Sequence, residues 1–340
     1  MIDRAIRPPF AAVAIAIGAA SILSVTIIAV SSPSPIEAIY HFFIGPFASK
    51  YHFGNLLDGA SLLMLTGFGV LIAFRGGAFN LGGEGQTYLA SLVASQVAIS
   101  SLVSDGKMGG IVLLLIVSAL VAGAIAAISG FLRATLQIDE LISSFLLSSA
   151  IIPMIDHAVA DPLRDQTGYL LATPMIPDGL RLGNLLSPST LNSGIFVALI
   201  LVGVGSVVFH RTLGGFELRM AGSARKFARY SGIATGKYLV VAMFLSGLFH
   251  GIAGGLYVVG TRHTCVQGGT GGLGWNGIAV ALVAENRPLA VIPAALAFSY
   301  LETATKTAML NTGFSFEISA IVQATVFLLI TVKRFGWRDR

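Results

Sequence analysis

The residues with the clearest chemical meaning form the stretch 79–86, which reads Phe-Asn-Leu-Gly-Gly-Glu-Gly-Gln between two apolar runs. It carries one carboxylate, two amides and three glycines where a membrane-spanning chain should carry hydrocarbon. Polar or irregular backbone at membrane depth is stable only where it is buried in protein or lines a cavity, and an ionisable group there indicates a functional site. The stretch predicts handling of a polar solute within a bilayer, with Phe79, Asn80, Glu84 and Gln86 as candidate pathway residues.

The composition indicates one integral membrane domain that occupies residues 1–340. Hydrophobic residues make up 55% of the chain and charged residues 11%, against about 25% charged in a soluble domain. A bilayer-crossing helix needs roughly 20 apolar residues, and eight crossings is the alternative count if two short runs are re-entrant. The runs predict an all-α fold with about ten transmembrane helices, at 10–30, 56–74, 83–102, 109–132, 141–155, 193–209, 238–259, 275–284, 289–305 and 318–332, and a surface helix at 36–47.

The basic residues are distributed unevenly between the two sides of this arrangement. With the N-terminus inside, 15 of the 21 lysines and arginines fall on inner segments. Because basic loops stay in the cytoplasm, this bias predicts that both termini are cytoplasmic. Residues 156–192 then form an outer loop, and residues 210–237 form the longest inner loop. The single cysteine, Cys265, excludes an intrachain disulfide.

The glycine-rich break occurs twice in the chain. Residues 76–94 contain a glycine-rich stretch followed by an apolar helix, and residues 268–283 repeat this order. The two copies are five predicted crossings apart, which inverts their topology, and inverted repeats with broken helices near the membrane midplane are common in transporters. We expect the two breaks to approach each other and to face a shared polar cavity, which adds Trp275 and Asn276 to the pathway.

Individual residues of these breaks have different expected roles. A carboxylate where a helix restarts can accept backbone N–H groups and is favoured by the positive end of the helix dipole, so we expect Glu84 to hold the break rather than bind the solute. We expect Gly82 and Gly274 to leave open space in the cavity, whereas Gly123 serves close helix packing. For His250, a satisfied buried side chain is favoured over a proton relay.

The inner loop 210–237 contains a pattern typical of a short surface helix. Ser223 is a suitable N-cap for a helix over 224–230, and Gly232 is a suitable C-terminal stop. Phe227 and Tyr230 are three residues apart and therefore share one face. A basic loop that only fixes topology and contacts anionic lipid is the simpler reading. The paired aromatic residues favour docking to a soluble partner.

The chain shows no catalytic or metal-binding pattern. Its six histidines are dispersed and lack the spacing of metal ligands. Residues 232–237 end in Gly-Lys, but the first glycine is one residue too close, and Tyr238 stands where a nucleotide-binding loop has Ser or Thr for magnesium. The sequence therefore predicts no enzyme activity and no cofactor for this chain.

Three motifs resemble those of the permease subunits of bacterial ABC importers in the branched-chain amino acid/ribose/simple-sugar class, and most closely the nucleoside permeases. They lie at 75–86, where Phe-Asn-Leu-Gly-Gly-Glu-Gly-Gln is close to a family signature, at 218–233, and at 274–288. The motifs follow one another in the family order. The sequence departs from the family pattern at 223–226, where relatives often carry Asn-Pro, and at Glu285, where glycine is common.

The resemblance implies a transport complex with several other subunits. It implies a second permease chain, identical or homologous, cytoplasmic ATPases that bind ATP and Mg²⁺, and a periplasmic or lipid-anchored substrate-binding protein that docks at the outer face. It also implies a multi-pass location in the bacterial inner membrane. The residues expected to couple this chain to the ATPase are Glu217, Arg219, Ser223, Arg225, Phe227, Arg229, Tyr230 and Gly232.

Other functions remain alternatives on sequence grounds. A stand-alone secondary transporter would use Glu84 as its proton-coupling carboxylate. An intramembrane enzyme would need a Ser-His pair, paired aspartates or a metal cluster within the spans, and none is visible in the sequence. Among substrates, a nucleoside, a purine base, a riboflavin-like ring compound and a simple sugar all suit a polar cavity with aromatic edges.

Overall fold

The computed structural model describes residues 22, 25–30, 32–100, 103 and 108–312. Within these ranges the regular structure is helical, with strand-like pairing only at two isolated bridges. This confirms the predicted all-α class. The α-helices named below are α1 Pro35–Phe43, α2 Lys50–Arg75, α3 Gly83–Ile99, α4 Met108–Leu136, α5 Glu140–Ala160, α6 Gly194–Arg211, α7 Leu213–Ser223, α8 Arg225–Tyr230, α9 Thr235–Leu256, α10 Leu273–Val283 and α11 Val291–Thr312.

Six helical segments of the described chain are long and apolar enough to cross a bilayer. They are Lys50–Arg75, Met108–Leu136, Glu140–Ala160, Gly194–Arg211, Thr235–Arg262 and Pro288–Thr312. Helices α3 and α10 are shorter, with 17 and 11 residues. Each predicted crossing that falls on described residues coincides with a helix. The crossing at 10–30 lies largely outside the described residues and that at 318–332 wholly outside, so the count of ten stays a prediction.

The chain divides into two compact units, of which the smaller contains the described parts of Met1–Leu56 and Ala297–Arg340. Within this unit the predicted surface helix is present as α1, followed by a 3-10 turn at Gly45–Phe47. Ala38 and Phe42 of α1 form an apolar cluster with Ala304 and Ala308.

The larger unit, Leu57–Leu296, contains both breaks. Its helices differ in how much surface they bury. In the most apolar stretch of Thr235–Arg262, 67% is buried inside the protein. The corresponding share is 28% in Glu140–Ala160 and in Gly194–Arg211. Exposed side chains on these outer helices include Phe145 and Phe196, as expected for a surface in contact with lipid. The unit therefore has α9 in its interior and α5 and α6 at its periphery.

Small residues allow α9 to pack closely on α4. A Cβ atom on Gly251 would lie 2.6 Å from Ala119 Cα, and one on Gly123 would lie 2.9 Å from the Phe244 ring. Glycine at such positions lets helix backbones approach in a membrane. The packing contact expected for Gly123 is thus confirmed.

The segment 210–237 differs from its prediction at the start of its short helix. Ser223 does not cap the helix over 224–230, because it is the last residue of α7 and its hydroxyl donates to Arg219 O at 2.8 Å. Ala224 occupies the N-cap position of α8. The predicted stop is confirmed, since Gly232 has φ +83 and Ile233 N donates to Ala228 O at 2.9 Å.

The backbone at Glu285, two residues after the end of α10, is relevant to one departure from the pattern that the resemblance led us to expect. Glu285 has φ 54, in the left-handed region that favours glycine. Asn286, with φ 51, continues this conformation. A glycine, which the resemblance led us to expect at this position, would fit this backbone, and the chain accommodates glutamate in the same conformation.

Candidate functional site

The first break joins the end of α2 to the start of α3, and its amides are satisfied within the protein. Asn80 Nδ2 donates to Gln86 Oε1 at 2.9 Å, and Gln86 Nε2 donates back to Asn80 Oδ1 at 3.0 Å. Asn80 Nδ2 also donates to Ser246 Oγ at 2.9 Å, and Asn80 Oδ1 accepts from Gly82 N at 2.9 Å. Both amide side chains are buried. These bonds fix the path of the backbone into α3 and tie it to α9.

The second break lies between α9 and α10. The helix continues beyond α9 as a π-helical turn, Tyr257–Arg262, and ends at His263, which has φ 61. Gly271 and Gly272 then adopt left-handed backbone, with φ 58 and 84, immediately before α10. Glycine adopts this conformation without steric strain. The turn directs the N-terminal N–H groups of α10 back toward α3.

Glu84 joins the two breaks. Its Oε1 accepts hydrogen bonds from Gly272 N at 3.0 Å and Thr270 Oγ1 at 2.5 Å, and its Oε2 accepts from Gly274 N at 2.8 Å. The residue is buried, and its carboxylate lies at the N-terminus of α10, where the helix dipole favours negative charge. Glu84 therefore accepts backbone N–H groups as predicted, but those groups belong to the opposite break.

The backbones of the two breaks are in direct contact. A Cβ atom on Gly274 would overlap the backbone of Gly83 and Glu84, and one on Gly82 would lie 2.9 Å from Ser144 O. The breaks thus approach each other as predicted, but the expected open space at Gly82 and Gly274 is wrong. The physical reason is that Gly274 packs against the backbone of Gly83 and Glu84, and Gly82 packs against the Gln86 amide and Ser144 O.

We predict that Gly274→Ala destabilises the protein rather than obstructing a pathway. The added methyl group meets backbone that cannot rotate away, and overpacking of this kind lowers the free energy of unfolding by about 2 kcal/mol. Gly203→Ala is the control, because nothing lies within 4 Å of a Cβ at this glycine of α6. Detergent-unfolding curves of both variants test this. Wild-type stability of Gly274→Ala would contradict the observed contact.

His250 completes the contact between the breaks. It is fully buried, and its Nδ1 lies 2.8 Å from Ser246 O, one turn earlier on α9. A Cβ atom on Gly83 would lie 2.5 Å from His250 Nε2. The imidazole thus fills the space beside Gly83, consistent with the buried side chain that the sequence favoured.

The six candidate pathway residues fall into two groups. Asn80, Glu84 and Gln86 are buried and bonded to protein, and the other three lie nearer the surface. Trp275 is 48% exposed, on the first turn of α10. Asn276 beside it and Phe79 are half-buried, and the Phe79 ring centroid lies 4.7 Å from that of Phe74.

An ion pair that the sequence analysis missed supports the first break. Glu140 Oε1 accepts from Phe79 N at 3.3 Å, and Glu140 Oε2 lies 3.1 Å from Arg133 Nη1. Ser144 Oγ, one turn further along α5, accepts from Leu81 N at 3.1 Å. These contacts join residues about 60 positions apart in the chain. The signal in the sequence is a charged residue at each side of the short turn between α4 and α5.

Asp58 is a second residue that the sequence analysis missed, and it holds the loop 156–192. Its carboxylate is buried in α2 and accepts from Thr190 Oγ1 at 2.7 Å, Asn192 Nδ2 at 3.0 Å and Thr261 Oγ1 at 3.0 Å. The loop 156–192 is therefore fastened at its end to the helices that carry the breaks. A lone aspartate within an apolar run was the available signal.

The segment 210–237 is joined to the other helices of the larger unit through α7. Tyr238 OH donates to Glu217 Oε2, and the Arg219 guanidinium lies 5.2 Å from the centroid of the Phe209 ring. A Cβ atom on Gly222 would overlap Arg75 O, and one on Gly77 would lie 2.8 Å from Gly222 Cα. The end of α7 thus touches the entry of the first break.

Helix α8, by contrast, presents its side chains to the outside. Phe227 is 63% exposed and Tyr230 is 93% exposed. Arg229 is also exposed, Arg225 is half-buried, and Ala228 faces inward. The predicted coupling residues therefore divide into an attached group on α7 and an exposed group on α8. Among the described residues, no cluster of three or more potential metal ligands occurs.

Comparison with known proteins identifies the family. A family model described as "Branched-chain amino acid transport system / permease component" matches residues 53–331. The chain belongs to this permease family. The permease is 32% identical over 311 residues to the probable riboflavin import permease protein RfuC of Treponema pallidum, covering 90% of this chain and 81% of that protein.

Two further relatives carry nucleoside names. The nucleoside ABC transporter permease protein NupB of Lactococcus lactis is 29% identical, with 88% of this chain and 84% of that protein covered. The guanosine ABC transporter permease protein NupP of Bacillus subtilis is 28% identical, with 84% and 82% covered. The permease is thus a multi-pass membrane subunit of an ABC importer, and its family implies an ATPase and a substrate-binding protein as partners.

Proposed function

We propose that this permease forms the translocation pathway for a nucleoside or a related compound with a heteroaromatic ring. The relatives named for riboflavin and guanosine support this class, because both compounds join a planar heteroaromatic ring system to a hydroxylated group, a ribityl chain in one and a ribose ring in the other. Neutral solutes of this kind are recognised by stacking and hydrogen bonds rather than by charge. The alternative of a stand-alone proton-coupled carrier is not favoured, since the relatives are named ABC permeases.

The observation that carries the proposal is the exposed indole of Trp275 beside the bonded junction of the two breaks. Glu84 fixes the first turn of α10, so Trp275 and Asn276 are held by a buried framework rather than by a loop. Stacking of a base on an aromatic ring contributes about 1–3 kcal/mol. In this proposal Trp275, Asn276 and Phe79 contact the solute. Asn80, Glu84 and Gln86 position them.

Coupling to ATP hydrolysis is proposed to run through the inner segment. Phe227, Arg229 and Tyr230 on α8 supply the surface that docks a separate ATPase, which binds ATP and Mg²⁺. Helix α7 transmits movement of the ATPase to the first break, because Gly222 contacts the start of that break. Arg225 and Gly232 set the two ends of α8. Each permease chain then shifts between two conformations as the ATPase changes state.

The rest of the assembly follows from this arrangement. Two permease subunits, identical or homologous, surround the pathway in the bacterial inner membrane. Each subunit is a single transmembrane domain over 1–340 that contains two inverted repeats. Both termini of each subunit are cytoplasmic. The segment 210–237 is its cytoplasmic coupling loop. A periplasmic or lipid-anchored binding protein docks at the loop 156–192, which Asp58 holds in place.

The two groups of coupling residues should respond differently to mutation. We expect Phe227→Ala/Tyr230→Ala to leave the permease folded, because both side chains are exposed, and to abolish co-purification of the ATPase. Arg219→Ala, which removes a contact with Phe209 inside the permease, should instead lower thermal stability. Co-purification and thermal shift are measured on both variants. Normal ATPase binding by the double variant would refute the docking surface.

The substrate class is tested with the partner binding protein. Calorimetric titration with guanosine, other nucleosides, riboflavin and glucose should show binding of a ring compound and no binding of glucose. Trp275→Ala should then reduce transport of that compound by about tenfold, corresponding to the loss of one stacking contact. Selective binding of a simple sugar would overturn the proposed substrate class. It would not affect the proposal that the permease works in an ABC importer.

A further inference from the structure

A second site lies at the inner end of α6. A cavity of about 630 Å³ opens there, between the last turns of α6 and the turn that precedes α11. It is separate from the junction that Glu84 forms, and the proposed transport mechanism makes no use of it. Its lining residues are Arg75, Ser206, Val207, His210, Arg211, Arg287, Pro288, Leu289 and Ala290.

The ionisable side chains that line this cavity are all of basic types. Three arginines and a histidine line it, and none of the described lining residues is acidic. Arg75 is held in place because its Nε donates to Asn286 O at 2.9 Å. One of these arginines has an acidic neighbour, since the Glu285 carboxylate lies 3.6 Å from Arg287 Nη2, with side chains 48% and 73% exposed. Such an exposed pair contributes little, so the cavity keeps a net positive charge.

The walls beside these charges are apolar. Val207 on α6 and Leu289 in the turn before α11 are each 60% exposed, and both belong to segments apolar enough to span a membrane. Cations and apolar side chains that line one cavity at the ends of membrane helices match the two parts of a phospholipid. Guanidinium groups bind phosphate oxygens through paired hydrogen bonds, and the apolar wall suits an acyl chain.

We propose that this cavity binds the phosphate group of an anionic phospholipid from the cytoplasmic leaflet, with an acyl chain along Val207 and Leu289. An acidic segment of the ATPase is the less suitable occupant, because its proposed docking surface is the exposed face of α8. The assignment of the leaflet rests on the proposed function, which places α7 and α8 in the cytoplasm. The lipid contact itself does not depend on any transported solute.

The test uses the full-length permease, purified without ATP or solute, and phosphatidylglycerol as the probe. Native mass spectrometry, with phosphatidylcholine as the competing lipid, measures how much of each stays bound. Arg211→Gln/Arg287→Gln is the test variant, since both side chains are exposed and the fold should persist. Lys226→Gln/Lys237→Gln removes the same charge from exposed positions on α8 and α9 and is the matched control.

We expect wild type and control to retain phosphatidylglycerol in preference to phosphatidylcholine, and the test variant to bind it about tenfold more weakly. Equal binding by both variants would overturn the proposal. Displacement of the lipid by millimolar inorganic phosphate would show a simple anion site instead. If the test variant bound the lipid normally but no longer co-purified with the ATPase, the cavity would be assigned to ATPase binding instead. A failed uptake assay bears on the proposed function and leaves these results unaffected.

Discussion

Glu84→Gln is expected to lower the folded yield of the permease and its uptake activity together. The wild-type carboxylate accepts from two backbone N–H groups and one hydroxyl of the opposite break. A glutamine amide keeps one acceptor oxygen and turns its NH₂ group toward groups that are themselves donors. Leaving buried donors without an acceptor should lower the free energy of unfolding by about 2 kcal/mol, and Glu84→Ala should lower it by about 3 kcal/mol.

The matched control is Glu37→Gln, which removes an exposed carboxylate from α1. Size-exclusion profiles of the membrane extract report folded yield, and uptake is measured on vesicles that contain equal amounts of permease. Glu37→Gln should behave like wild type in both assays. A Glu84→Gln permease that assembles normally and loses only affinity for the solute would show that Glu84 is a binding residue.

Gly222→Ala is expected to separate ATP hydrolysis from uptake. Its Cβ would overlap Arg75 O and crowd the backbone of Gly77, so the end of α7 must move away from the first break. Helix α8 and its exposed aromatic face are left unchanged, so the ATPase should still bind. We expect uptake to fall at least about tenfold, since a coupling free energy between two sites is about 1–3 kcal/mol and the displaced α7 loses its contact with the first break.

Gly214→Ala is the control for this substitution. It lies in the same helix, and nothing is found within 4 Å of a Cβ there. ATP hydrolysis and uptake are measured in parallel on proteoliposomes that contain permease, ATPase and binding protein. Gly214→Ala should leave both rates unchanged. If Gly222→Ala kept its uptake rate, the contact between α7 and the break would have no part in coupling.

The sequence predicted the elements of the site better than their surroundings. A carboxylate and amides among glycines pointed to the break at 79–86, and the repeated pattern predicted that the two breaks meet. Both inferences depend on short stretches of sequence in which the chemistry of a few residues is decisive. The acceptor role of Glu84 followed from helix-end chemistry, although the identity of its donors did not.

The errors and omissions share a different origin. Open space at Gly82 and Gly274 was predicted wrongly, because glycine permits either a cavity or close backbone contact, and only the fold distinguishes them. Ser223 was assigned as a cap because the preceding helix, α7, has a glycine-rich start that hides its pattern. The contacts of Asp58 with Thr190 and of Glu140 with Phe79 join distant parts of the chain, which a single sequence does not pair.

The most direct test of the central claim is the energy source for uptake in proteoliposomes that contain the permease, its ATPase and its binding protein. We expect uptake of the compound that the binding protein retains to require internal ATP, to stop when the ATPase is omitted, and to persist when an ionophore collapses the proton gradient. Uptake by the permease without the ATPase, driven by a pH gradient, would contradict the account.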